Sequence, residues 1–177
     1  WQKLYQLSRT STSEATRPWC LTVSFSHPHD PYVARKKYWD LYENCPALDP
    51  TVSEIPFKKR DPHSQRLIEA CDHKSFDITP EHVRRARRGY FANISYIDDK
   101  VGEILAVLEA TRQEAVIVFT SDHGDMLGER GLWFKMNFFE GSARVPLMVA
   151  APGLAPGRID TPVSTIDVAP TLCDLAG

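Results

Sequence analysis

Asp122, His123, Lys135 and His29 are the residues of this chain whose types and settings could do chemistry together. The first two end an apolar run: "AVIVFTS" reads straight into Asp122-His123-Gly124. A carboxylate beside an imidazole can ligate a divalent cation, and Gly124 allows the sharp turn that lets both converge. On the tripeptide alone, a strand-end turn with a capping Asp and a surface His is the plainer reading. Lys135 shifts that balance. It stands in "LWFKMNFF", an apolar setting in which an ammonium is costly unless it meets an anion. Its alternative is to snorkel over the aromatic surface to water. His29, in "HPHDPY" after a second apolar run, is either a turn histidine or a proton donor. A cation, a lysine and a histidine around one pocket suit an anionic ester. Metal and lysine neutralise its non-bridging oxygens, and the histidine protonates the departing alkoxide.

These residues need elements to position them. Cys20–Ser26 reads as a strand stopped by Pro28 and Pro31. "ARKKYWDLYENC" suggests a short helix, and the Pro- and charge-rich stretch from Pro46 to Pro80 a long surface excursion. Thr79-Pro80-Glu81 is a helix start: a capping hydroxyl, proline at the first position and an acid in the first turn. Val83, Ala86, Tyr90, Ile94, Ile97, Val101, Ile104, Leu105 and Leu108 then recur at helical spacing, predicting one amphipathic helix from Pro80 to Ala110. "AVIVFTS" and "PLMVAAPG" are continuous apolar strands, the kind found in parallel sheets covered by helices on both faces. "STIDVAPTLCDLAG" predicts a closing helix, capped by Ser164 or Thr165 and terminated at Gly177. The expected fold class is α/β, a mostly parallel sheet flanked by helices. Ligands of such sheets bind beyond the carboxyl ends of the strands, so the loops after Ser26 and Ser121 should share one edge. Three buried strands and two convincing helices leave one face uncovered. The chain also starts at Trp1, with its first methionine at Met126. Residues 1–177 therefore read as one incomplete domain.

Composition sets the outer bounds. A chain of 177 residues with a net charge of -2 lacks the basic excess of a general nucleic-acid binder. No apolar run approaches the roughly 20 residues that cross a bilayer, and the start carries no basic-then-apolar leader pattern. Cys20, Cys45, Cys71 and Cys173 form no CxxC pair, which points to free thiols in a reducing, cytoplasmic setting. Arg84, Arg85, Arg87 and Arg88 read as a solvated helix face. Asn93-Ile94-Ser95 matches a glycosylation sequon but sits mid-helix and is discarded. Trp133, Phe134, Phe138 and Phe139 could line a pocket for a quaternary ammonium, although aromatic stripes are more often core. Glu140 is expected to orient the Lys135 loop, and Arg144 to pair with a nearby carboxylate.

These same residues resemble a known family. "SDHGDMLGERGLWFKMNFFEGSARVPLMVAAPG" is similar to the C-terminal part of the catalytic core of sulfatases, in the alkaline-phosphatase-like superfamily. The piece "GLWFKMNFFEGSARVP" is most similar to those acting on choline sulfate. "VSFSHPHDPY", "YFANISYIDDKVGEILAVLE" and "VSTIDVAPTLCDLAG" resemble, in the same order, the family's Pro-His-x-Pro strand, its long helix and its following helix. The resemblance implies that Asp122 and His123 are metal ligands, that Lys135 contacts a sulfate, and that His29 lies at the sulfate or leaving-group oxygen. Many sulfatases carry Asn where this chain has His123, and the His form also occurs in related phosphonate and phosphate ester hydrolases. An oxygen-rich site favours calcium or magnesium, whereas imidazole suits manganese or zinc.

Two family features are absent from the segments that carry the resemblance. The formylglycine nucleophile comes from a C/S-x-P/A-x-R motif, which none of the cysteine segments fits. An early Asp-Asp pair that would complete the metal site is also missing, and Asp98-Asp99 lies inside the long helix. Both belong N-terminal to this segment in the family, so the chain alone is expected to hold metal weakly and not to turn over. The expected partner is a small sulfate ester, with no nucleic acid and no membrane; homo-oligomerisation is left open. The alternatives are a phosphonate or phosphodiester hydrolase on the same scaffold, or a non-catalytic remnant.

Overall fold

The computed structural model describes residues 2–10 and 19–176, which form two compact units. One contains Trp1–Ser24, Val101–Asp122 and Pro146–Gly177; the other contains Phe25–Lys100 and His123–Val145.

The first unit opens with helix α1 (Gln2–Thr10), which the sequence reading did not anticipate. Two of the apolar runs become β1 (Ile117–Thr120) and β2 (Leu147–Ala150). They form a two-stranded antiparallel ladder, with Ile117 opposite Ala150 and Thr120 opposite Leu147. The Thr120 hydroxyl donates to the Pro146 carbonyl at 2.9 Å and pins the register at the end of β1. A parallel pair would need a crossover packed on the sheet. Of the chain between β1 and β2, His123–Val145 belongs to the second unit. Cys20–Ser26, expected as a third strand, is irregular. An extended segment becomes a strand only when a neighbouring backbone takes up its N–H and C=O groups, and no described residue pairs with it. Two strands cannot shield both of their faces, and Met148 and Val149 are 57% and 42% exposed. The closing helix is present as a 3-10 turn (Thr165–Asp167) running into α6 (Val168–Ala176). Ser164 is its cap, in a reciprocal capping box with Asp167. Gly177, expected as its terminator, lies outside the described residues.

In the second unit the short helix expected around Tyr38 is α2 (Lys36–Trp39), continued by a 3-10 turn over Asp40–Tyr42. The supposed surface excursion contains α3 (Pro62–Ala70). Its start is encoded by Asp61-Pro62: the Asp61 carboxylate accepts from the backbone N–H groups of His63 and Ser64, each at 3.0 Å, and proline fills the first helical position. Ile68 of α3 packs with Met126 and Leu132 as a core, against Phe57 and Phe139. The fourth helix, α4, spans Pro80–Ala110 as the sequence predicts, its residues up to Lys100 in this unit and those from Val101 in the first. The Thr79 hydroxyl accepts from the His82 backbone N–H at 3.3 Å, and the Thr79 N–H donates back to the His82 ring.

The buried face of α4 is not the simple apolar stripe. Arg87, Gly89, Ala92, Asn93 and Ile97 are buried, while Ile94 is 44% exposed. The helix meets loop backbone, which selects small and hydrogen-bonding residues. Arg87, expected in solvent, donates instead to the Leu127 carbonyl at 3.0 Å, the Ala47 carbonyl at 3.2 Å and the Glu129 carboxylate at 3.2 Å. Arg84 pairs with Asp49 at 2.7 Å, and Arg88 donates to the Trp39 carbonyl at 2.9 Å. The arginine run is thus largely structural. Among the described residues no helix is long and apolar enough to cross a membrane.

Glu129 is the acid at the centre of this knot. It accepts from the backbone N–H groups of Thr51 and Val52 at 2.9 and 2.8 Å as well as from Arg87. Burial pushes its carboxyl up, but those donors outweigh burial and hold it below the usual glutamate range. A depressed folded-state value gives stability that is fully present above the unfolded value and lost as pH falls through the folded one. Urea unfolding against pH should therefore show weakening below about pH 4.5. Glu129→Gln should flatten that acid slope and lower stability at neutral pH by about 1–3 kcal/mol, since the substitution leaves Arg87 without its charged partner. An unchanged slope would remove Glu129 from this role.

Candidate functional site

Lys135 and His29 come together in the second unit. The Lys135 Nζ lies 2.8 Å from the His29 Nε2. The His29 ring is fixed from its other side, where Nδ1 lies 3.0 Å from the Asp30 carbonyl and 3.0 Å from the Asp30 carboxylate. With Nδ1–H donating to Asp30, the Nε2 lone pair accepts from the lysine ammonium. His29 sits in a tight turn closed by its own N–H on the Ser26 carbonyl at 3.0 Å. Its side chain is 48% exposed, so the pair is open to a solute.

His123 lies against the same pair. Its ring centroid is 6.4 Å from that of His29. Its Nδ1 lies 2.8 Å from the Gly124 carbonyl. An Nδ1–H donor there leaves the lone pair on Nε2, the tautomer a metal-ligating imidazole needs. Asp122, the preceding residue, closes the first unit just beyond β1, with its carboxylate 3.5 Å from the Ser121 hydroxyl. A carboxylate and an imidazole in this tautomer are each donors that a divalent cation accepts. No group of three or more His, Cys, Asp or Glu side chains able to hold a metal occurs among the described residues. Asp99 is held elsewhere, by Lys37 at 2.7 Å and Tyr38 at 2.8 Å.

The backbone around Lys135 is strained. Phe134 and Met136, on either side of it, have φ of 62° and 73°, in the left-handed region that non-glycine residues rarely enter. Such residues cost about 1–3 kcal/mol each and persist only where their surroundings hold them. Phe134 is held by its N–H on the Asp125 carboxylate at 3.1 Å and by its carbonyl, which accepts from Met126 at 2.8 Å. The Met136 carbonyl accepts from the His63 ring at 2.7 Å. The other oxygen of Asp125 accepts from the Tyr32 hydroxyl at 2.7 Å. Burial first, and then the charge of Asp125, push the Tyr32 phenol far above its usual range.

The sequence reading missed Tyr32, Asp125 and His63. Asp125 was in view as the acid after Asp122-His123-Gly124, and Tyr32 as the end of "HPHDPY". Nothing in the sequence marks His63 as a partner of Met136. Of the four aromatics proposed to line one pocket, three diverge. Phe139 packs on the Met126 core beneath the Arg130 guanidinium, Phe138 is 97% exposed, and Trp133 lies 6.5 Å from the Tyr32 ring. Arg144 does find a carboxylate, that of Glu140 at 3.2 Å.

Two glycines let these loops dock. A Cβ on Gly89 would lie 2.2 Å from the Tyr32 carbonyl oxygen, and one on Gly124 2.2 Å from the Gly141 carbonyl oxygen. Both obstacles are backbone, so the loops would have to move. Gly89→Ala should cost about 1–3 kcal/mol in thermal or urea unfolding and displace the His29 turn. Wild-type stability would show that the approach is looser than this packing requires.

A mixed α/β chain carrying these loops falls in the alkaline-phosphatase-like class of its structural neighbours. The sulfatase family model matches residues 2–177, and the chain belongs to that family. Among sulfatases it is similar to a particular kind. It is 67% identical to the choline-sulfatase of Rhizobium meliloti (strain 1021), over 99% of this chain and 35% of that protein. Arylsulfatase K of Danio rerio is 33% identical over 97% of this chain and 35% of its own length. Among solved structures, a phosphonate monoester hydrolase from Silicibacter pomeroyi matches with a TM-score of 0.73 and 29% identity, over 84% of this chain and 32% of that one. The chain thus spans about a third of the length of the relatives it matches, 35% for the curated pair.

Proposed function

We propose that the intact protein carrying this chain is a sulfuric ester hydrolase that cleaves a sulfate monoester, choline sulfate first among them, to the alcohol and sulfate. Residues 1–177 are read as part of one catalytic domain, whose nucleophile segment lies N-terminal to them. In that domain β1 and β2 would join a larger, mostly parallel sheet, and the exposure of Met148 and Val149 on β2 supports this. The scattered cysteines support a cytoplasmic location. The observation that carries the activity is the 2.8 Å contact between Lys135, flanked by strained backbone, and His29, on a separate exposed turn. The 67% identity to a choline-sulfatase supports the choice of alcohol.

Asp122 and His123 would hold the divalent cation, calcium, manganese or magnesium. When bound it would polarise the sulfuryl oxygens, while a formylglycine supplies the attacking oxygen. The Lys135 ammonium would neutralise charge on a non-bridging sulfate oxygen as the S–O bond to the alcohol lengthens. The departing alkoxide takes a proton from the Lys135–His29 pair. Asp30, bonded to Nδ1, keeps the imidazole turned so that Nε2 faces the reacting oxygens.

One other reading has an observation in its favour. The superposition on a phosphonate monoester hydrolase, together with His123, supports a phosphonate or phosphodiester substrate on the same scaffold. Assaying the intact, metal-supplied protein with choline sulfate and with a phosphonate monoester separates the two. Sulfate release should dominate by kcat/KM. Preference for the phosphonate would overturn the sulfatase reading, and inactivity on both would favour a non-catalytic remnant.

A further inference from the structure

We propose that Asp125 and Tyr32 are positioning residues that set the spacing between His29 and Lys135; this rests on the catalytic pair just described. The two members of that pair lie on loops far apart in sequence. Tyr32 is three residues beyond His29, and Phe134 immediately precedes Lys135. The Asp125 carboxylate bridges the two. One oxygen accepts the Tyr32 hydroxyl at 2.7 Å; the other accepts the N–H groups of Leu127 at 2.9 Å and Phe134 at 3.1 Å.

The bridge acts where the backbone needs holding. Leu127 and Phe134, which donate to it, are both left-handed non-glycine residues, with φ of 47° and 62°. A carboxylate accepting both N–H groups keeps the 125–134 loop closed and hands Lys135 to a fixed place. On the other loop, Tyr32 is sandwiched: its ring meets Tyr90 at 6.0 Å and Trp133 at 6.5 Å, and its carbonyl lies against Gly89. The hydroxyl of a side chain so confined transmits position rather than merely filling space. A spacing of 2.8 Å between an ammonium and an imidazole is sensitive to small movements, and misplacing a catalytic group by an ångström can slow a reaction about 100-fold.

Asp125→Ala removes three hydrogen bonds at once and threatens the loop itself, so Tyr32→Phe is the test. It deletes one hydroxyl and keeps both ring contacts. In the intact protein with choline sulfate, kcat should fall by about 10-fold with KM little changed. The same substitution in a Lys135→Ala background should cost almost nothing, because there is no longer a pair to align. A crystal structure of the Tyr32→Phe protein should show the Nζ–Nε2 distance widened. An equal loss in both backgrounds, accompanied by a lower melting temperature, would mean a purely structural tyrosine and overturn the proposal, as would no loss in the otherwise wild-type protein. If Lys135→Ala itself leaves turnover intact, the catalytic reading of the pair fails. The crystallographic distance then decides the positioning role by itself: widened supports it, unchanged ends it.

Discussion

Lys135→Ala in the intact protein should lower kcat for choline sulfate by a factor on the order of 100 or more, the scale of losing one preorganised donor to a developing oxyanion. The size of the effect follows from the setting. Lys135 is held by strained neighbours, Phe134 and Met136, and meets the ring of His29. A long flexible side chain on a free loop could be replaced by water or a neighbouring cation; one fixed this way cannot. The loss should appear mainly in kcat, since the ammonium matters most as charge moves onto the sulfate oxygens. Measuring kcat and KM by sulfate release checks this. Near-normal turnover would return Lys135 to a surface lysine lying over aromatic side chains.

Asp122→Ala should have the second large effect, on metal content. A neutral imidazole alone holds a hard divalent cation poorly, and the adjacent carboxylate supplies the anionic oxygen. Elemental analysis of the purified intact variant should show metal falling to a small fraction of the wild-type level, with activity lost alongside it. His123→Ala should reduce metal less, because the carboxylate remains. Undiminished metal in Asp122→Ala would refute its assignment as a ligand.

What the sequence disclosed depended on how local the determinants were. Helix α4 was readable end to end, because Thr79-Pro80-Glu81 and a helical repeat are signals within one segment. The runs that form β1 and β2 were readable as strands, but their direction was not. Direction depends on which neighbour is beside them, and here that is each other. Cys20–Ser26 failed for the same reason: its composition is that of a strand, and no described backbone pairs with it. Helix α3 was overlooked because the surrounding prolines and charges concealed the Asp61-Pro62 cap.

At the site, His29 and Lys135 were legible by type and setting. Asp125 stood in plain view, but a second acid after Asp-His-Gly reads as another surface charge until the loop is seen folding back onto it. Arg87 shows the reverse error. One basic residue among four looks solvated in sequence, yet it lies buried on the carbonyls of Ala47 and Leu127.

The most direct test of the whole account is a crystal structure of the intact protein grown with manganese or calcium and soaked with sulfate. One sulfate should sit with oxygens within hydrogen-bonding distance of the Lys135 Nζ and the His29 Nε2, beside a cation ligated by Asp122 and His123. A sulfate bound elsewhere, with those four residues touching neither anion nor metal, would contradict it.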